Sequence, residues 1–222
     1  MNPLNRIIAL ISFLMIFYTV PNFSQSQFEG KIVFEVSDQE TSPQQINYLV
    51  KGDWFRIEVP QAATGSGAMI YNQKNKTMTM IMPQQKMYME MPLDMSEKVQ
   101  KEDVGPGYFK KTGESKNING YDCDKFIFKD EEGEGVAWMT KELGGFMFFN
   151  NPNERGSQSG WEDAVMAEGY FPMIVKIKDS SGAAKTAFKV IKIEPKTLDM
   201  SLFKPPAGFK KLDMGNMMQK HK

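Results

Sequence analysis

Residues 77 to 91 read TMTMIMPQQKMYMEM, with methionine at every second position on both sides of a short polar break. A repeat of two is the strand period, because successive side chains of an extended chain point to opposite faces. Folding the segment back about Gln84-Gln85, or about the wider break Pro83 to Lys86, gives one and the same register: Met82 opposite Met87, Met80 opposite Met89, Met78 opposite Met91. A three-residue loop would destroy that match, so pattern and turn length together predict a hairpin. Six thioethers then share one face, and Thr79, Ile81, Tyr88 and Glu90 share the other.

Two further hairpins follow from the same reasoning. In INYLVKGDWFRIEV, a two-residue turn at Gly52-Asp53 sets Val50 against Phe55, Tyr48 against Ile57 and Ile46 against Val59. The opposite face receives Asn47, Leu49, Lys51, Trp54, Arg56 and Glu58. Between Lys111 and Lys129, Asn119-Gly120 has the composition of a tight turn that joins KTGESKNI to YDCDKFIFK. The alternating run FEGKIVFEV supplies a first strand, AMIYN, VAWMT, FPMIVKIKD and AAKTAFKVIKIE supply others, and the whole predicts nine or ten strands. Helices are expected at LDMSEKVQ, with Asp94 as N-cap and Glu97 three residues on, at KELGGFMFF and at WEDAVMAEG.

The ends give an address. One cation, Arg6, precedes an apolar run from Ile7 to Val20 and a small polar exit, the make-up of a secretory signal peptide over residues 1–26. No cysteine follows the apolar core to carry a lipoprotein anchor, so a periplasmic or secreted protein is expected. A single domain over 27–214 and a frayed basic tail over 215–222 complete the organisation. With 26 basic and 27 acidic residues left after removal of the leader, the mature chain lacks the basic stripe that nucleic acid demands. A lone cysteine forbids an internal disulfide, stability must come from packing, and a monomer is expected.

Reactive constellations are scarce. One histidine, His221, sits beside the C-terminus, so no His-based triad, acid/base pair or zinc cluster assembles around it. Cys123, flanked by Asp122 and Asp124, has neighbours that raise a thiol pKa and reads as a buried strand residue. Asp130, Glu131, Glu132 and Glu134 lack calcium-loop spacing and read as a solvated turn. No catalytic residue, cofactor or metal ligand set is therefore predicted. The methionines leave three readings: core filling, an adaptable wall for apolar ligands, or a Cu(I) site, the last without an adjacent histidine or cysteine.

Taken in order, FEGKIVFEV, KGDWFRIEV, MIYNQKNKTMTMIMPQQKMYMEM, INGYDCDKF, AWMTKELG and LFKPPAGFKKLDM resemble the DUF4412 family of uncharacterised bacterial secreted proteins. That family in turn resembles the lipoprotein carriers of the LolA and LolB type. The resemblance implies a mainly β (α+β) fold: a single curved antiparallel sheet forming an open half-barrel, with a few helices covering the concave side. It also implies a hydrophobic ligand, a lipid or an acylated protein, and peripheral association with the envelope. Met78, Met80, Met82, Met87, Met89 and Met91 are the expected wall, and Arg56 matches the carrier's strand arginine.

Overall fold

The computed structural model of the chain describes residues 28–37, 42–62, 65–92, 108–130, 133–146, 169–178 and 182–212. Six strands run in sequence order: β1 (Gly30–Val36), β2 (Gln44–Lys51), β3 (Trp54–Ala62), β4 (Gly65–Asn72), β5 (Thr77–Met82) and β6 (Met87–Pro92). Five more follow: β7 (Tyr108–Ile118), β8 (Tyr121–Asp130), β9 (Gly133–Thr140), β10 (Phe171–Lys178) and β11 (Ala184–Pro195). A 3₁₀ turn at Met200–Phe203 precedes the two-residue β12 (Lys210–Lys211). All twelve lie in one open sheet of order β12-β6-β5-β4-β3-β2-β1-β11-β10-β9-β8-β7. Each half is an antiparallel meander, and pairing of β1 with β11 joins them.

Turn chemistry sets the local registers as the sequence predicts. Gly52 takes φ 55° at the first position of its turn, Asn119 and Gly120 take 53° and 89°, and the flanking strands pair as expected. The methionine hairpin uses the wider loop: the Lys86 amide donates to the Pro83 carbonyl at 3.1 Å, with Lys86 at φ 49°. At Gly135 a Cβ would lie 2.4 Å from the Lys176 carbonyl oxygen, so only glycine admits this approach of β10 to β9. The exposed edge strand β7 carries a register shift between Lys111 and Ser115, Gly113 at φ 86° and several lysines, features that discourage pairing with another chain's edge.

The sheet is strongly curved. Tyr48 on β2 and Phe171 on β10 stand three strand intervals apart, about 14 Å on a flat sheet. Their rings are nevertheless 5.7 Å apart between centroids. The face they share is therefore concave, and it holds the main core: Ile32, Phe34, Val50, Phe55, Phe126, Val175 and their neighbours.

Two expectations are corrected here. No helix covers the concave side among the described residues, whose helical content is the single 3₁₀ turn. The stretch expected to be helical from Lys141 runs instead through a turn to a non-helical strap reaching Phe146, with Gly144 at φ 79°, and residues 147–149 of that expectation lie outside the described residues. The reason is local: Gly144-Gly145 weakens helix formation, while burial of Phe146 favours the strap. That ring lies among Phe34, Tyr48, Phe171 and Phe188 at centroid distances of 5.6, 5.2, 4.9 and 5.5 Å. The helices expected at 93–100 and 161–169, and the tail at 215–222, lie outside the described residues except for Gly169. What the described chain shares with the carrier resemblance is the curved antiparallel sheet, and nothing more specific to those carriers.

The convex face is split. Over β2 to β6 it is covered by the C-terminal segment, whose Leu198 and Phe203 pack on Leu49, Ala68, Ile70 and Ile81, flanked by Trp54 and Tyr88. Glu29 fastens the start of this segment. Its carboxylate accepts from the Lys51 ammonium at 2.5 Å and the Leu198 amide at 2.6 Å, bonds that hold its pKa below the usual carboxylate value. At the far end, the Lys210 and Leu212 amides donate to the Lys86 and Tyr88 carbonyls, which makes β12 the parallel edge partner of β6.

Candidate functional site

The methionine hairpin has the predicted register: Met78 pairs with Met91, Met80 with Met89 and Met82 with Met87. Cross-strand partners share a face, so pairing across the sheet traces continuous rows. One row runs Val50, Phe55, Tyr71, Met78, Met91; the next runs Tyr48, Ile57, Met69, Met80, Met89. Both begin in the aromatic core and end in thioethers. The ladder therefore extends the concave face toward the β6 side, and Met69 belongs to it as a seventh member.

Burial along these rows falls off in order. Tyr48, Val50, Phe55 and Ile57 are buried, whereas Met69 and the six ladder methionines are all partly exposed. Met69 and Met78 pack against the core margin. On the opposite face of the same hairpin, Ile81 is buried beneath the C-terminal segment. The hairpin's buried side chain thus lies on the face without methionines, because the C-terminal segment covers that side. Tyr71 marks the boundary between core and strip, and burial pushes its phenol well above the ordinary tyrosine pKa.

Arg56 is on the other side of the sheet. Its partners across β2, β3 and β4 are Leu49 and Ile70, both under the C-terminal segment. Its Nε donates to Glu58 at 2.8 Å and its Nη1 to the Leu202 carbonyl at 2.8 Å. The structure does not bring Arg56 to the methionines; it ties the 3₁₀ turn to β3. The signal for this was the alternation itself, which sets Arg56 against Phe55 and Ile57.

Cys123 has no exposed surface, and its thiol is pushed up to about 11, first by burial and only secondarily by acidic neighbours such as Glu142 and Asp122. Only about a thousandth of it would be thiolate at pH 8. Thiol labelling of the folded protein at pH 8 is expected to run at least about a hundredfold slower than in denaturant, where an ordinary thiol is exposed. Equal rates would contradict its placement. Folding also raises this acid's pKa, so its contribution to stability is full below about 9, the ordinary value, and is lost as pH rises through about 11. Among the described residues, no three His, Cys, Asp or Glu side chains are grouped to hold a metal ion.

The described residues define an open single-sheet β protein, with an aromatic core filling one part of its concave face and a thioether strip lining another. The chain belongs to the family described as Domain of unknown function (DUF4412), which matches residues 28–209. No curated protein matches it. Among solved structures, an uncharacterized conserved protein from Thermus thermophilus is similar at 10% identity and TM-score 0.48, over 85% of this chain and 91% of that one. PNGF-II in its C2 crystal form is similar at 15% identity and TM-score 0.48, over 86% of this chain and 32% of that one. In the P21 form the values are 16% and 0.47, over 87% and 33%, so this chain spans about a third of PNGF-II.

Proposed function

We propose that this is a non-catalytic, secreted or periplasmic protein that holds a single apolar chain, from a lipid or an acylated protein, against its methionine strip. The observation that carries the reading is the run of partly exposed thioethers continuing the concave face beyond its filled aromatic centre. Methionine suits this task because an unbranched, polarizable side chain adapts to variable apolar partners. The leader-like apolar run after Arg6 supports the address.

Size supports a single chain. From Met78 to Met82 the strip runs roughly 13 Å along β5, and from β4 to β6 roughly 10 Å across, on the order of 130 Å2. A standard protein interface takes about 800 Å2 from each partner. Covering the strip removes on the order of 260 Å2 of apolar surface in all, worth about 6 kcal/mol before the costs of association. Binding at tens of micromolar or weaker is the consequence, which suits a ligand that is taken up and released.

Native mass spectrometry of delipidated protein with palmitate or a single-chain phospholipid tests this. A one-to-one adduct is expected, and Met80→Glu with Met89→Glu should remove it, since two carboxylates on the strip oppose an alkyl chain and repel the palmitate carboxylate. No adduct with either amphiphile, or an adduct unchanged in the double variant, would contradict the reading.

A further inference from the structure

Past the C-terminal segment the convex face is open among the described residues except near the tip of the β7–β8 hairpin, where Cys123, on the face of Lys125 and Ile127, is fully buried and Asn119 reaches the Val190 carbonyl. Over β7 to β10 its cross-strand rows share one composition. Lys110, Ile127, Val136 and Lys176 form one row. Lys125, Trp138, Ile174 and Lys189 form the next. Each row places two apolar side chains between two lysines. The four apolar residues are partly exposed, and Lys110, Lys176 and Lys189 are exposed.

Charge on this surface is lopsided. The Lys116 ammonium lies 3.9 Å from the centre of the Trp138 ring, adding a fifth lysine to the margin. The nearby carboxylates are fewer: Glu114 is paired with Lys125, Glu134 with Lys178, and Glu35 stands opposite Lys189 on β1. The lysines flanking the apolar centre therefore outnumber the carboxylates available to them. A convex, apolar-centred face with a tryptophan and a lysine margin matches the layering of a lipid interface, where alkyl stems and indole sit at headgroup depth and ammonium groups meet phosphates.

We infer that this face docks the protein on a bilayer surface rich in anionic headgroups. The partner is a membrane surface rather than an acidic protein, because lysines offer diffuse charge while planar carboxylate recognition favours arginine, and the margin has none. This surface lies on the opposite side of the sheet from the methionine strip, and its docking does not rest on the strip's ligand.

Vesicle co-sedimentation of the full chain tests it, using phosphatidylcholine alone and with about 30% phosphatidylglycerol. Two triple variants are compared: K110E/K176E/K189E on this face, and K74E/K86E/K204E elsewhere, which changes net charge equally. All six positions are exposed, so both variants are expected to keep the parental thermal transition. Binding to the anionic vesicles and weak binding to neutral ones is expected, with partition falling at least about tenfold for the first triple and little for the second. A blue shift of Trp138 emission in a W54F/W161F background should accompany binding. Equal loss in both triples, no binding to anionic vesicles, or retention only by an acidic polypeptide would each overturn the assignment.

Discussion

Phe146→Ala is expected to destabilise the fold by about 3–5 kcal/mol, the upper range for truncating one core side chain. Phe146 is buried, and its ring is the common neighbour of Phe34, Tyr48, Phe171 and Phe188, which come from four different strands. Those strands, β1, β2, β10 and β11, straddle the junction of the two meanders. An alanine there leaves a ring-sized void that the curved sheet can close only by changing its curvature, and cores relax little. Since a domain's net stability is about 5–15 kcal/mol, the loss is a large share of the total. Urea denaturation monitored by near-ultraviolet circular dichroism checks it: the midpoint should fall with the slope unchanged, and Phe146→Leu should recover much of the loss. A midpoint shift worth less than about 1 kcal/mol would mean the strap does not plug the sheet.

Phe203→Ala has an expected cost in the same range, about 3–5 kcal/mol if all of it is felt globally, but its consequence is local. The C-terminal segment is anchored by few groups: Phe203 and Leu198 in the convex core, the Arg56 bond to the Leu202 carbonyl, Glu29, and the two amides that pair β12 with β6. Loss of the largest anchor lets the segment open while the aromatic core stays folded, so part of the cost is avoided by detachment. Trypsin cleavage after Lys210 and Lys211 should accelerate at least about tenfold under conditions where the core remains intact. Amide exchange at Leu212, which donates to the Tyr88 carbonyl at 2.7 Å, should accelerate with it. Arg56→Ala should produce the same pattern at smaller amplitude, because one side-chain bond to a carbonyl is worth about 1.5–3 kcal/mol when the donor is charged. Unchanged cleavage in both variants would contradict the account of the convex cover.

What was legible in the sequence is what short-range pairing encodes. Methionines on alternate positions around a four-residue break can meet in one register only, and Gly52-Asp53 and Asn119-Gly120 announce their own turns. Once those hairpins are placed, so is the separation of Arg56 from the ladder. Non-local closure was not legible. Pairing of β1 with β11 joins residues more than 150 positions apart, and no turn chemistry records such a contact. The strap at Lys141 to Phe146 misled for a related reason: its apolar residues resemble a short helix face, yet their burial is decided by a cavity made of four distant strands.

The same limit hid which side of the methionine hairpin is covered. PKTLDMSLFKPPAGF carries two adjacent prolines and no strand or helix period that would foretell what it covers, but Asp199 caps its 3₁₀ turn by accepting from the Ser201 amide at 2.7 Å, and Phe203 and Leu198 are buried. This cover turns Ile81 inward and leaves Met80, Met82, Met87 and Met89 partly open on the concave side. Met69 could have been found by extending the ladder's alternation one strand back through AMIYN, where it pairs with Met80.

The most direct test of the methionine strip is a titration of methyl-labelled methionine with palmitate, read by nuclear magnetic resonance. Saturable shifts are predicted for Met69, Met80, Met82, Met87 and Met89, with half-saturation at tens of micromolar ligand or weaker. The fully buried Met139 and Met173 serve as internal references that should hold still. Strip methyls that do not move up to about 1 mM ligand, or shifts confined to Met139 and Met173, would contradict a binding role for the ladder.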